Sequence, residues 1–207
     1  MNLVFDLDGT LVDSAPDIHA AVAQMLRAEG LPPLDLATIV SFIGNGVPTL
    51  VQRVMRHLGL DMADHARMTR VMLEHYATAS TDLTRPYPGV VDSLKALQAA
   101  GYRLAICTNK PLAPARTVLA DLDLARFFPV VIGGDSLPVV KPDPAPLFAA
   151  IAQMGGGPAV FVGDSEVDAA TAVAAAVPFA LFTEGYRKSP VADLPHTLAF
   201  SDYGGFA

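Results

Sequence analysis

The sequence predicts an α/β protein, a doubly wound parallel sheet that carries an all-helical insertion after its first strand. Three observations predict it. Five short apolar runs each stop at polar or glycine-containing residues. Amphipathic helical patterns separate the last four runs, and strand–helix–strand alternation at this spacing means βαβ units and a parallel sheet. The alternation breaks once, over roughly a hundred residues between the first run and the second, and that stretch is itself mostly helical in pattern.

The elements follow in order. Leu3-Val4-Phe5 is the first strand and ends at Asp6. Ala15 to Glu29 reads as a helix, stopped by Leu31-Pro32-Pro33, and from Leu36 to Ser80 the patterns are again helical, interrupted near Gly44 and Gly59. Arg85-Pro86-Tyr87-Pro88-Gly89 reads as a linker. Residues 14–86 are therefore the helical insertion, and residues 1–13 with 87–207 the sheet domain. Val90, Val91, Leu94 and Leu97 share one helical face, with Gly101 as the stop. Arg103–Cys107 is the second strand, Pro114–Leu124 a helix, and Pro129–Ile132 the third strand. Pro144–Met154 is a helix ended by Gly155-Gly156-Gly157-Pro158, and Ala159–Val162 the fourth strand. Glu166–Ala176 is an alanine-rich helix made for close packing, and Phe179–Phe182 the fifth strand. Largely continuous apolar runs of this length suit strands covered on both faces, as in a Rossmann-like core.

Composition narrows the function. With 207 residues, 52% hydrophobic and 17% charged, the chain is neither disordered nor too small for a core of its own. Its single cysteine, Cys107, excludes an internal disulfide and permits a reducing compartment. Fourteen Lys and Arg against 21 Asp and Glu give a net charge of −7 with no basic run, which argues against nucleic acid as partner. The most apolar stretch, Ala169–Phe182, spans 14 residues where a membrane crossing needs about 20. Met-Asn-Leu-Val-Phe-Asp has no basic segment and an acid at position 6, unlike a secretory leader. The expectation is a soluble cytoplasmic protein without a membrane or nucleic-acid partner, as a monomer or homodimer.

In an open parallel sheet, ligands bind outside the carboxyl ends of the strands. Those ends carry Asp6 and Asp8, Thr108 and Asn109, and Gly163 and Asp164, with Lys141 after the third strand. Several carboxylates and one lysine suit a hard cation held through oxygen, Mg²⁺ above all, which keeps waters and a substrate phosphate in its shell. A carboxylate beside such a metal can attack phosphorus. A second, two residues on, can protonate the leaving oxygen and later deprotonate water. A hydroxyl, a backbone amide and an ammonium can hold the phosphoryl oxygens. Many parts are needed: enhancement of phosphate-monoester hydrolysis reaches about 10²¹, roughly 29 kcal/mol.

Asp6-Leu7-Asp8-Gly9-Thr10 resembles the first motif, DxDGT, of the haloacid dehalogenase superfamily. Thr108, Lys141 before a proline, and Gly163-Asp164-Ser165-Glu166-Val167-Asp168 resemble its other three motifs in order, and the helical insertion occupies the position of its cap domain. Within the superfamily the chain is most similar to the phosphoglycolate phosphatases, on Phe5 to Ser14 and on Ile43-Gly44-Asn45-Gly46-Val47-Pro48-Thr49-Leu50-Val51-Gln52-Arg53.

The resemblance implies roles. Asp6 is the nucleophile that becomes an aspartyl phosphate, and it also ligates Mg²⁺. Asp8 is the general acid/base and binds the metal through its backbone carbonyl. Asp164 is a further metal ligand, with Asp168 in support. Thr108, Asn109 and Lys141 hold the phosphoryl group. Gly44, Asn45 and Gly46 stand before an apolar helix, where backbone amides can bind a substrate carboxylate or form only a tight turn. Arg53 either aids that anion or faces solvent. The reaction implied is Mg²⁺-dependent hydrolysis of a small phosphorylated metabolite, 2-phosphoglycolate first. The alternatives are another small phosphate such as a sugar phosphate, or a phosphosugar mutase on the same fold. A phosphonate hydrolase would need a lysine in the insertion, and the first lysine of the chain is Lys95. A dehalogenase has no need of an acid/base at Asp8, and a binding protein without turnover has no need of all four motifs.

The remaining chemistry-bearing residues read as structural. Four of the five histidines (His19, His57, His65 and His75) lie in the insertion at no metal-ligand spacing. Cys107 sits inside an apolar strand. Gly155-Gly156-Gly157 lacks the Lys-Ser/Thr of a nucleotide loop. The residues from Thr183 onward read as the finish of the sheet edge, with no functional signal.

Overall fold

The structure is a computed structural model that describes residues 1–78 and 81–206. The chain begins with β1 (Asn2–Phe5) and a two-residue strand, β2 (Val12–Asp13). Four helices follow: α1 (Ala15–Ala28), α2 (Leu36–Phe42), α3 (Val47–His57) and α4 (His65–Thr78). A second two-residue strand, β3 (Arg85–Pro86), brings the chain back to α5 (Val90–Ala99) and β4 (Arg103–Cys107). Then come α6 (Leu112–Asp121), β5 (Val130–Ile132), α7 (Ala145–Gln153), β6 (Ala159–Gly163), α8 (Glu166–Ala175), β7 (Phe179–Phe182) and β8 (Leu198–Phe200).

Six strands form one parallel sheet in the order β5-β4-β1-β6-β7-β8. From β1 the chain winds outward through β4 to β5, then returns to the other side of β1 with β6. The crevice at such a reversal is where open α/β sheets bind ligands. Register puts Phe5 opposite both Ile106 and Val162, so β1, β4 and β6 end side by side.

The pleat sorts the apolar residues to two faces. Leu3 and Phe5 of β1 join Val90, Leu94 and Leu97 of α5 and Val118 and Leu119 of α6 in one core. Val4, between them, joins Leu147 and Ala150 of α7 and Ala169 and Ala172 of α8 in the other. Burial on both faces explains why these strands read as unbroken apolar runs.

The helices between residues 15 and 78 have an apolar core of their own, built on Val22, Met25, Leu26, Val51, Met55, Met68 and Met72. Two antiparallel strands join this unit to the sheet domain, Val12 opposite Pro86 and Asp13 opposite Arg85. Arg85–Pro86 is thus paired where the sequence reads as a linker. Two residues are too few to show a strand period, and proline is tolerated at a strand end because its missing N–H is not needed there. At the same junction buried Asp17 accepts hydrogen bonds from the backbone N–H groups of Leu83 and Thr84 and from the Thr84 hydroxyl.

α6 begins at Leu112, before the expected Pro114. Proline fits in a first turn, where the N–H it lacks would have no intrahelical partner. Ser80, where the expected helical stretch ends, lies outside the described residues. Among the described residues no helix is long and apolar enough to cross a membrane.

Candidate active site

Asp6 follows β1 directly, with its backbone N–H donating to Val162 O at 2.9 Å. The next residues fold into a tight turn: Leu11 N–H donates to Leu7 O at 3.0 Å and Gly9 N–H to Val12 O at 2.9 Å. Gly9 has φ of +84°, and a Cβ there would lie 2.6 Å from Asp164 Oδ2 and 2.7 Å from the Tyr186 ring. Only glycine satisfies both the backbone and the space. This turn lets Asp164 pack against the loop that carries Asp6 and Asp8.

Asp6, Asp164 and Asp168 each offer an oxygen within 4.8 Å of the others. Asp164 is buried; its Oδ1 accepts from the Thr10 hydroxyl and its Oδ2 from Tyr186 N–H, both at 2.6 Å. Asp168 Oδ2 accepts from Ser165 N–H and the Ser165 hydroxyl, and Ser165 in turn caps α8, a reciprocal capping box. Asp168 Oδ1 pairs with Lys141 Nζ at 2.6 Å. The same ammonium lies 3.0 Å from Asp6 Oδ1, but off hydrogen-bonding alignment, so that buried oxygen is left without a hydrogen-bond partner.

Burial pushes the Asp6 carboxyl up to about 6; Lys141 opposes the rise, while Asp168 and Asp8 add to it. Burial likewise holds Asp164 well above the usual carboxylate range, with Asp168 and Asp6 pressing the same way. Crowded carboxylates that resist ionisation are relieved by a cation. An all-oxygen donor set, with one Asp6 oxygen that accepts no hydrogen bond, fits a hard divalent ion such as Mg²⁺.

Asp8 faces elsewhere. Its Oδ1 accepts from the Ser14 hydroxyl at 2.6 Å and from Lys110 Nζ at 2.9 Å. Lys110 is buried at the start of the β4–α6 connection, and its ammonium also bonds the Tyr76 hydroxyl of α4 and lies 4.5 Å from that ring's centroid. Its neighbours raise the Lys110 pKa despite burial, which on its own lowers it.

Between the sheet and the helical unit lies a cavity of about 500 Å³, open solvent at its mouth included. Asp6, Asp8, Thr108, Asn109 and Lys110 line it from the sheet; Ile18, Ile43, Gly44, Gly46, Val47, Leu50, Met72 and Tyr76 line it from the helices. Thr108 accepts from Lys110 N–H at 3.2 Å and, among the described residues, donates its own proton to nothing. Lys141 stands behind this wall, against Asp6.

Three side chains placed at the substrate by the sequence, those of Asn109, Arg53 and Asn45, are bonded to protein groups. Asn109 lines the cavity beside Thr108, and its side chain braces two backbones: it donates to Lys141 O and Gly44 O and accepts from Lys141 N–H. Arg53 neither faces open solvent nor lines the cavity. It donates to Phe42 O and to Asn45 Oδ1, both at 2.7 Å, so Arg53 and Asn45 together tie down the loop before α3. A cationic fork beside exposed loop carbonyls satisfies those groups first. Gly44 and Gly46 do reach the cavity; Gly46 has φ of +81°, and a Cβ on it would meet Asn109 O at 3.2 Å.

Sequence reasoning missed Lys110, Tyr76 and Tyr186, and quoted Thr10 and Ser14 in motifs without giving them a role. Lys110 had a signal, being one of four lysines and next to Asn109. Tyr186 had none. Its N–H binds Asp164, and its hydroxyl accepts from the N–H groups of Ser14 and Ala15 and donates to Asp13. Cys107 is buried, with its thiol pushed up to about 12 by burial, as an inert core residue should be.

A parallel sheet with carboxylates at two adjacent strand ends and a threonine at the next, a buried lysine against the first carboxylate and a helical unit over the crevice defines a class of hydrolase. A family model described as haloacid dehalogenase-like hydrolase matches residues 1–176, and the chain belongs to that family. It is 53% identical over 203 residues to a protein of Cereibacter sphaeroides named phosphoglycolate phosphatase, covering 97% of this chain and 93% of that one. A Rhodobacter capsulatus protein of the same name is 43% identical over 203 residues, covering 97% and 92%. Among solved structures, a predicted phosphoglycolate phosphatase from Haemophilus somnus superposes with a TM-score of 0.91 at 32% identity, covering 99% of this chain and 95% of that one.

Proposed function

We propose that the chain is a Mg²⁺-dependent phosphatase of small phosphate monoesters, with 2-phosphoglycolate as its substrate and glycolate and phosphate as products. The observation that carries the reading is the pair Asp6 and Asp8 on one cavity wall: Asp6 keeps an oxygen without a hydrogen-bond partner, and Asp8 is held apart by Ser14 and Lys110. Two carboxylates in different surroundings can divide nucleophilic and acid/base work.

Asp6 attacks phosphorus, and the P–O bond to the organic group breaks as the leaving oxygen takes a proton from Asp8. Water then attacks the aspartyl phosphate, giving its proton to Asp8 and releasing phosphate. Thr108 donates its hydroxyl proton to a phosphoryl oxygen, and Lys141 balances charge from behind Asp6. Asp6, Asp164 and the Asp8 carbonyl would hold Mg²⁺, supported by Asp168; when bound, it neutralises charge building on the phosphoryl oxygens. Residues 14–86 act as a cap that keeps bulk water from the crevice. The lone buried thiol fits a cytoplasmic setting.

The substrate follows from two supports. Relatives that match this chain over nearly its whole length are named phosphoglycolate phosphatase. The helical wall is mostly apolar, with Ile18, Ile43, Val47, Leu50 and Met72, and so provides few partners for the hydroxyls of a sugar phosphate or for a mutase's rotating substrate.

Phosphate release with and without Mg²⁺, across 2-phosphoglycolate, glucose phosphates and pyridoxal phosphate, tests the reading. Metal-dependent kcat/KM highest for 2-phosphoglycolate supports it. Metal-dependent turnover of other esters in its place overturns the substrate and keeps the chemistry; no turnover of any ester overturns both.

A further inference from the structure

We propose that Lys110 and Tyr76 form the site that receives the substrate's second anion, the carboxylate of 2-phosphoglycolate; this rests on the function proposed above. A phosphoryl group at Asp6 leaves the rest of a small ester facing the helical wall. A carboxylate against apolar side chains is costly to desolvate unless a cation or several donors meet it. Among the described residues, Lys110 is the one positively charged residue lining the cavity. Arg53 is bonded to Phe42 O and Asn45 Oδ1, and Lys188 donates to Ile43 O.

The proton count supports the assignment. The Lys110 ammonium has three protons and, among the described residues, two hydrogen-bond partners, Asp8 and the Tyr76 hydroxyl. The Tyr76 oxygen accepts from Lys110, and its own proton goes to no acceptor among the described residues. Both side chains are nearly excluded from solvent, Lys110 at 4% and Tyr76 at 2%. One ammonium proton and one phenol proton therefore remain beside each other on the cavity wall, two donors for the two oxygens of a carboxylate. They come from different units, Lys110 from the sheet domain and Tyr76 from α4. A carboxylate between them ties the helical unit to the sheet while Lys110 still holds Asp8.

The test compares 2-phosphoglycolate with ethyl phosphate, which has a methyl where the carboxylate stands, in wild type, Lys110→Met and Tyr76→Phe. Tyr76→Phe keeps the ring over Lys110 and guards against a Lys110→Met protein that fails to fold. The expected result is a wild-type preference for 2-phosphoglycolate that falls roughly 10- to 100-fold in each variant, the size of lost hydrogen bonds to a charged group, mostly through KM. Equal losses on both esters overturn the proposal and leave Lys110 as a residue that only positions Asp8. An unchanged preference in Tyr76→Phe overturns the tyrosine's part. A wild type that does not prefer 2-phosphoglycolate overturns the substrate reading itself, whatever the variants do.

Discussion

Lys141 and Asp168, 27 residues apart, are joined by an ion pair of 2.6 Å from which solvent is excluded on both sides. Such a pair is balanced: each charge is tolerable only because of the other. Removing one partner costs about 3–5 kcal/mol, whereas replacing both with apolar groups costs far less. Asp168→Asn is therefore expected to lower stability by that amount, and Asp168→Leu with Lys141→Met by less than either single change. Urea unfolding of wild type, Asp168→Asn, Asp168→Leu, Lys141→Met and the double variant checks this; additive losses would mean that the pair is not coupled.

Asp6 gives a pH-dependent prediction. Its folded-state pKa is raised from 3.8 to about 6, first by burial. A raised carboxyl contributes stability that is full below pH 3.8 and lost as pH climbs through about 6. Above that window the metal-free protein carries a buried carboxylate at a cost of about 3 kcal/mol, at 1.36 kcal/mol per pKa unit. Asp6→Asn does not titrate, so in EDTA it is expected to be more stable than wild type at pH 7–8 and equal to it near pH 4. A difference that does not vary with pH would contradict the burial argument. The same variant should show no turnover, since a neutral amide is a poor nucleophile toward phosphorus.

Mg²⁺ should reverse that order. A ligand bound only by the folded state adds about 2.7 kcal/mol at one hundred times its dissociation constant. Thermal melts of wild type are expected to rise with added Mg²⁺ and fall back with EDTA. Asp164→Asn should abolish the rise, because Asp164 lies within 4.8 Å of Asp6 in the acidic cluster. An undiminished rise in that variant would place the metal elsewhere.

The parts of this molecule legible in sequence are those with a local signature. Arg103–Cys107 and Phe179–Phe182 match their strands to the residue, because sheet burial on both faces writes an unbroken apolar run. Asp6, Asp8, Thr108 and Asp164 stood out as polar residues just beyond such runs, and Lys141 as a lysine before a proline after the third strand. What was hidden depends on distant partners. The position of Arg53 in sequence says nothing of Phe42 O or Asn45, which absorb its guanidinium. Lys110 is two residues from the motif threonine Thr108, yet its burial depends on Tyr76 from another unit. The segment after Thr183 reads as sheet edge, and β8 does end the sheet. The same segment also supplies Tyr186 against Asp164 and Tyr203, whose hydroxyl donates to Thr10 O at 2.9 Å.

Tyr186 leads to the last prediction. Its hydroxyl accepts from Ser14 N–H at 2.8 Å and Ala15 N–H at 2.9 Å and donates to Asp13 at 2.7 Å, at the point where the chain leaves the sheet domain for α1. Tyr186→Phe keeps the ring but strands the Ser14 N–H and leaves the Ala15 N–H with only Asp13 Oδ1 at 3.3 Å, and an unsatisfied buried donor costs about 1–3 kcal/mol. The expected loss of stability lies in that range, with the amides of Ser14 and Ala15 exchanging hydrogen faster than those of β1. Metal-dependent stabilisation should persist, because Asp164 is held by the Tyr186 backbone N–H, which the substitution leaves in place. Loss of the Mg²⁺ effect in Tyr186→Phe would show that the phenol hydroxyl, and not the backbone alone, orders the acidic cluster.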